Sequence, residues 1–146
     1  MKTLIATLLT SWLAFTVTAG ELTWLTDLPA AQAQAKKENK LVLMDFTGSD
    51  WCGWCIKLNR EVFNTPEFAK YAKDNLVLVE LDFPRNKPQT PALKKANAAL
   101  QQKHGADGFP TIVVLNGEGK EVWKQVGYME GGPKAWISKL DGAKKK

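Results

Sequence analysis

Cys52 and Cys55, in the run Trp51-Cys52-Gly53-Trp54-Cys55, are the two cysteines of this 146-residue chain. With no third thiol to pair with, they act on each other or on another molecule. Spaced i, i+3 at the start of a helix, they share one face, where a disulfide can close and open. As a staple that ring does little: chain entropy gives about 2 kcal/mol for a loop of about four residues, against about 4.7 kcal/mol for about a hundred. A pair this close is better suited to switching than to holding a fold together. Ile56 follows the motif, which excludes the haem-attachment pattern C-x-x-C-H. Zinc takes four ligands, and the chain adds one histidine, His104, to its two thiols; no resident metal is expected. His104 precedes Gly105 and reads as a capping or surface residue at a helix end.

Asp45 is the next residue with chemical meaning. It interrupts the apolar run Leu41-Val42-Leu43-Met44-Asp45-Phe46, where a carboxylate is costly unless paired or neutral. Desolvation there raises the carboxyl pKa and makes Asp45 a proton acceptor for Cys55 when that thiol must ionise. Glu80 holds a similar place in Leu76-Val77-Leu78-Val79-Glu80-Leu81-Asp82. Either it faces outward, or, if the two strands are neighbours, it repels Asp45 and keeps one of the two protonated.

The elements that must position these groups follow from pattern. Asp27 can cap a helix over residues 29–38. The run from Leu41 suits a central parallel strand buried on both faces. The next helix starts at the cysteines, with Cys55, Leu58 and Val62 on one face. Thr65-Pro66 reads as the N-cap and first residue of a short helix to about Lys73. A second strand runs over 76–82, and Thr90-Pro91 opens a helix with Leu93, Ala96 and Leu100 on one face. Thr111-Ile112-Val113-Val114-Leu115 is a third strand, Asn116-Gly117-Glu118-Gly119 a hairpin turn, and Glu121 to Val126 a fourth strand. Pro133 starts a last helix that buries Trp136, Ile137 and Leu140; Trp24, Trp123 and Trp136 read as core. Alternation gives a parallel βαβ core, and the late hairpin adds an antiparallel edge. The fold class is α/β, with a mixed four-stranded sheet flanked by helices. Ligand sites in such sheets lie beyond the C-terminal strand ends, where the cysteine pair falls.

The N-terminus reads as an export signal. Met1-Lys2 gives the positive end, Leu4 to Val17 is apolar, and Val17-Thr18-Ala19 offers small residues for cleavage. Cutting after Ala19 removes residues 1–19 and leaves 20–146 as a single domain with a basic tail, 141–146. An apolar fraction of 45% is enough for one packed core. The product is expected to be periplasmic or secreted, in an oxidising compartment where disulfides persist and can be exchanged. The formal charge is +5, part of it in Lys144-Lys145-Lys146, and no Lys/Arg run interleaves with aromatics. Nucleic acid is therefore not an expected partner.

At this point the chain resembles the thioredoxin superfamily. Four features match in order: a strand ending in Asp45-Phe46, the Trp51-Cys52-Gly53-Trp54-Cys55 motif, Gly108-Phe109-Pro110-Thr111, and Val126-Gly127. The match covers roughly residues 27 to 140. Two departures are Trp54, where thioredoxin itself has proline, and a Thr47-Gly48-Ser49-Asp50 stretch one residue longer. The sequence is more similar to exported thioredoxin-like proteins than to the cytosolic carrier. The resemblance implies a thioredoxin fold and thiol–disulfide exchange with no cofactor beyond the Cys52–Cys55 pair. It assigns Cys52 as nucleophile, which the helix N-terminus also favours as thiolate, and Cys55 as resolving thiol. It implies a buried aspartate at Asp45 and a cis bond before Pro110, with the loop's backbone pairing an extended substrate segment. Trp51, Gly53, Trp54, Phe109, Pro110 and Tyr128 then line a shallow binding groove.

The expected function is an exported oxidoreductase acting on protein thiols or disulfides, leaning to a reductase or isomerase-like carrier, because Gly53-Trp54 brings no histidine to stabilise the Cys52 thiolate. It is expected to be a monomer that takes electrons from a membrane-bound or soluble thiol partner. Two alternatives stay open: a non-catalytic, chaperone-like binding module using the aromatic groove, and a dithiol protein that traffics copper or zinc.

Overall fold

The computed structural model describes residues 21–145; the signal sequence read over 1–19 and its cleavage point lie outside them. The elements in chain order are β1 (Trp24–Leu25), α1 (Leu28–Glu38), β2 (Leu41–Thr47), α2 (Gly53–Leu58), a π-helical turn (Asn59–Phe63), α3 (Pro66–Asn75), β3 (Leu76–Asp82), α4 (Pro91–His104), β4 (Thr111–Leu115), β5 (Glu121–Val126) and α5 (Gly132–Ala143). The four strands read from the sequence are all present. A short fifth, β1, lies parallel to β3 and makes the sheet five-stranded, in the order β1-β3-β2-β4-β5. β2 and β3 are parallel, while β4 runs antiparallel to both β2 and β5.

Side chains alternate across a strand, so β2 feeds two cores. Leu41 and Leu43 join Leu58, Val62, Phe63, Phe68, Trp136 and Leu140 beneath α2, α3 and α5. Val42, Met44 and Phe46 join Ala31, Ala35, Val79 and Val113 beneath α1. By the same period Asp45 faces the α2 side, two residues beyond Leu43. Thr65 caps α3 by accepting the Phe68 N–H, and Thr90 caps α4 by accepting the Leu93 N–H.

Some local readings change. Asp27 holds the N-cap position of α1, but its side chain makes no capping hydrogen bond. On α4, Leu93 and Leu100 are half-buried and Ala96 is exposed, while Asn97 is the buried residue of the helix. Asn97 Nδ2 donates to the Asp82 carbonyl, so a side-chain amide anchors α4 to the end of β3. Trp136 is fully buried, while Trp24 and Trp123 are half-buried against the same core. α5 runs through Ala143, which is buried, so residues 141–143 are helix and not tail.

Candidate active site

The site begins where β2 ends. Thr47 closes the strand, residues 48–51 turn, and α2 starts at Gly53 with Cys52 as its N-cap. Cys52 and Cys55 form a disulfide, their Cα atoms 5.2 Å apart. The Cys55 N–H donates to Cys52 Sγ at 3.2 Å, so one of the helix's free amides is aimed at the first sulfur. Both residues are largely covered, Cys52 at 6% and Cys55 at 5% exposure. Accessibility therefore does not separate the two thiols; position does, since Cys52 stands at the amide end of α2 and Cys55 a turn inside. Gly53, between them, is exposed.

Asp45 lines the same cleft as Cys55. It is 8% exposed, and its Oδ1 has no hydrogen-bond partner among the described residues. Burial pushes its pKa up to about 8, with the charges of Glu80 and Asp82 adding to the effect. Glu80 is the direct register partner of Asp45 across β2 and β3. It is half-buried, and burial and then Asp82 hold its carboxyl above the usual range, against a smaller opposing pull from Lys87. Of the two placements open for Glu80, the structure gives the one beside Asp45. A cleft of about 220 Å³ is lined by Asp45, Glu80 and Cys55 and by Asn59, Arg60 and Asn64. It links the buried carboxylates to the exposed side chains around the π-helical turn.

The bond between Phe109 and Pro110 is cis. The Pro110 carbonyl accepts from the Gly127 N–H at 2.8 Å, and Thr111 Oγ1 donates to the Gly108 carbonyl at 2.7 Å, fixing the loop from both sides. Phe109 meets the cysteine motif through Trp51, edge to face at 5.7 Å, and packs on Phe83 at 5.1 Å. Trp54 stacks on Tyr128 at 5.7 Å. The aromatic residues expected to form one groove are thus grouped in two clusters, Trp51-Phe83-Phe109 and Trp54-Tyr128. Trp54 is 58% exposed and Val126, next to Gly127, 60%.

Several residues of the site carry no short-range sequence signal. Residues 83–86, far along the chain, form the wall beside Trp51. Trp51 Nε1 donates to the Phe83 carbonyl, and the Arg85 and Asn86 N–H groups donate to Asp50. Ser49 gives both its N–H and its hydroxyl to Asp82. Gly48 is required by contact: a Cβ there would come within 2.5 Å of the Trp51 ring. Lys57 and Glu61 bracket Tyr128, the first over its ring and the second accepting its hydroxyl. His104, placed before the left-handed C-cap Gly105, has its Nδ1 3.2 Å from Glu121 and takes no part in the site.

Comparison with known proteins agrees with this geometry. The thioredoxin-like domain family matches residues 28–142. The chain is 34% identical over 129 residues to the disulfide bond reductase DsbH of Chlamydia pneumoniae, covering 88% of this chain and 76% of that protein. It is 34% identical over 126 residues to the thiol:disulfide interchange protein DsbD of Vibrio cholerae, covering 79% of this chain but 19% of that protein. A solved structure of a DsbH oxidoreductase superposes with a TM-score of 0.82 at 32% identity, covering 91% of each chain. A cysteine pair capping α2, a cis-proline loop before β4 and a family match across almost all of the described residues lead to one assignment: this chain belongs to the thioredoxin-like domain family.

Proposed function

We propose that this protein is an exported thiol–disulfide oxidoreductase that works mainly as a reductase of protein disulfides. The observation that carries the reading is the Cys52–Cys55 disulfide at the N-terminus of α2, with Cys55 sharing a cleft with the buried, unpartnered carboxyl of Asp45. In the reduced protein, the Cys52 thiolate attacks one sulfur of a substrate disulfide. The S–S bond breaks, a mixed disulfide forms, and the departing sulfur takes a proton. Asp45 then accepts the Cys55 proton, and the Cys55 thiolate attacks Cys52 Sγ. The Cys52–Cys55 bond forms and the second substrate thiol is released. Two electrons have passed from the protein to the substrate. An external thiol donor must return them before another cycle.

The direction is supported by the homologue named as a disulfide bond reductase, and the need for a donor fits similarity to a thiol:disulfide interchange protein. Export is supported by the sequence pattern of residues 1–19. The groove between Trp54 and the Phe109-Pro110 loop binds an extended segment of the substrate.

Insulin reduction with dithiothreitol as donor tests the reading. The protein is expected to accelerate precipitation of the insulin B chain, and C52S and C55S to abolish that acceleration. Equal rates for the parent and both variants would leave only a binding role for the aromatic groove.

A further inference from the structure

The two tryptophans that flank the cysteines each carry a cation on a ring face. The Arg85 guanidinium lies 3.9 Å from the Trp51 ring centroid. Lys57 Nζ lies 5.2 Å from the Trp54 centroid and 4.6 Å from that of Tyr128. Aromatic faces hold such cations in place without neutralising them. The carboxylates of the same region are used differently. Asp50 accepts two backbone N–H groups, Asp82 accepts twice from Ser49, and Glu61 accepts from Tyr128 and Arg60. Hydrogen bonds occupy the acceptor positions of those anions without removing their charge, and Lys57 lies close enough to Glu61 to add to the Tyr128 and Arg60 hydrogen bonds in lowering its pKa. Neither Lys57 nor Arg85 is in an ion pair among the described residues. Lys87, near Arg85, adds a third cation and donates to the Ser49 hydroxyl. Two further carboxylates are exposed, Asp107 two residues before Phe109 and Glu130 two residues after Tyr128.

We propose that Lys57 and Arg85 form a paired cationic rim that selects disulfides carried on acidic segments, with carboxylates on both sides of the attacked cysteine. This rests on the thiol–disulfide exchange reading above. Two positive charges held on the rings of Trp51 and Trp54, which precede and follow Cys52 in the chain, draw an anionic segment toward the cysteine pair. Held over rings, they also lose less freedom on binding than solvated side chains would.

The test uses two disulfide-linked peptides of equal length, one with Asp and Glu around the cystine and one with Lys and Arg. Turnover by the full protein with dithiothreitol is measured at low and high salt. The acidic peptide should be reduced about tenfold faster at low ionic strength, and the preference should shrink toward equality in about 0.5 M salt. K57E and R85E should each lower the ratio, and the double variant should reverse it. K57Q and R85Q, which leave the ring contacts less disturbed, should give intermediate ratios if charge is the cause. The ratio is taken within each variant, so partial loss of fold does not mimic the effect. Equal rates for both peptides, a preference for the basic one, or a ratio unmoved by K57E and R85E would overturn the rim while leaving the oxidoreductase reading intact. No reduction of either peptide would sink that reading itself.

Discussion

Asp45 is the buried carboxyl of the site, with no hydrogen-bond partner at Oδ1 among the described residues. Its pKa is raised to about 8 by burial, then by Glu80 and Asp82, while an unfolded aspartate titrates near ~3.9. Between those values the folded chain holds a proton that the unfolded chain has released. Its contribution to stability is therefore complete below about pH 4 and is lost as pH rises toward 8. D45N removes that loss. The variant should be more stable than the parent at pH 8 by about 1–3 kcal/mol, with little difference near pH 4, as read by denaturant unfolding. It should also slow release of the mixed disulfide by about tenfold or more at pH 7. A D45N protein that is less stable at pH 8 would contradict the burial argument. E80Q takes away one repelling charge, so the midpoint of the resolving step should move to lower pH. Asp45 was legible in the sequence because a charge in an apolar strand is an anomaly with few explanations. Arg85, Lys57 and Gly48 were not legible, because each owes its role to a ring brought near by the fold and none breaks a local pattern.

The elements do two jobs: they aim the helix that carries the cysteines, and they wall it. β2 and α2 aim, and their bounds follow from apolar runs and from the motif itself. The wall is made by residues 83–86, tied to the 48–51 turn through Asp50 and Trp51. Pairings of that kind join positions more than thirty residues apart and leave no periodic trace. The π-helical turn after α2 was likewise invisible. The i, i+3, i+7 spacing of Cys55, Leu58 and Val62 fits an ordinary helix, and only the burial of Phe63 beside Val62 marks the wider turn. Gly48 tests the wall. G48A forces Trp51 off its place against Phe109, so insulin reduction should fall by about tenfold while the protein stays folded; parental activity would show that Trp51 is not needed where it stands. Thr65 tests the scaffold. T65A deletes the α3 cap and should cost about 1 kcal/mol in thermal unfolding, with reductase activity at the parental level.

On the scale of the whole chain, the order of alternating elements was enough to give a parallel core with an antiparallel hairpin. What it left out were features too short or too contextual to register: a two-residue β1 that gains its partner from β3, and an α4 anchored to the end of β3 by the Asn97 amide. The same scale decides whether the cysteines hold the fold. Two separate cores pack against the sheet, and a disulfide closing about four residues adds only about 2 kcal/mol. The C52S/C55S double variant should therefore keep its far-UV spectrum and cooperative unfolding while losing all disulfide reduction. Collapse of the fold would make the bridge structural.

The claim beneath all of this is that the sulfur at the amide end of α2 ionises readily and that its neighbour does not. Alkylation of the fully reduced protein with iodoacetamide, followed from pH 5 to 9 with the modified residue identified by mass spectrometry, measures it directly. The account predicts that Cys52 is labelled first, with a midpoint below the ~8.5 of a free cysteine, and that Cys55 lags by at least about tenfold. Labelling of Cys55 first, or two thiols equally slow until pH 9, would contradict it.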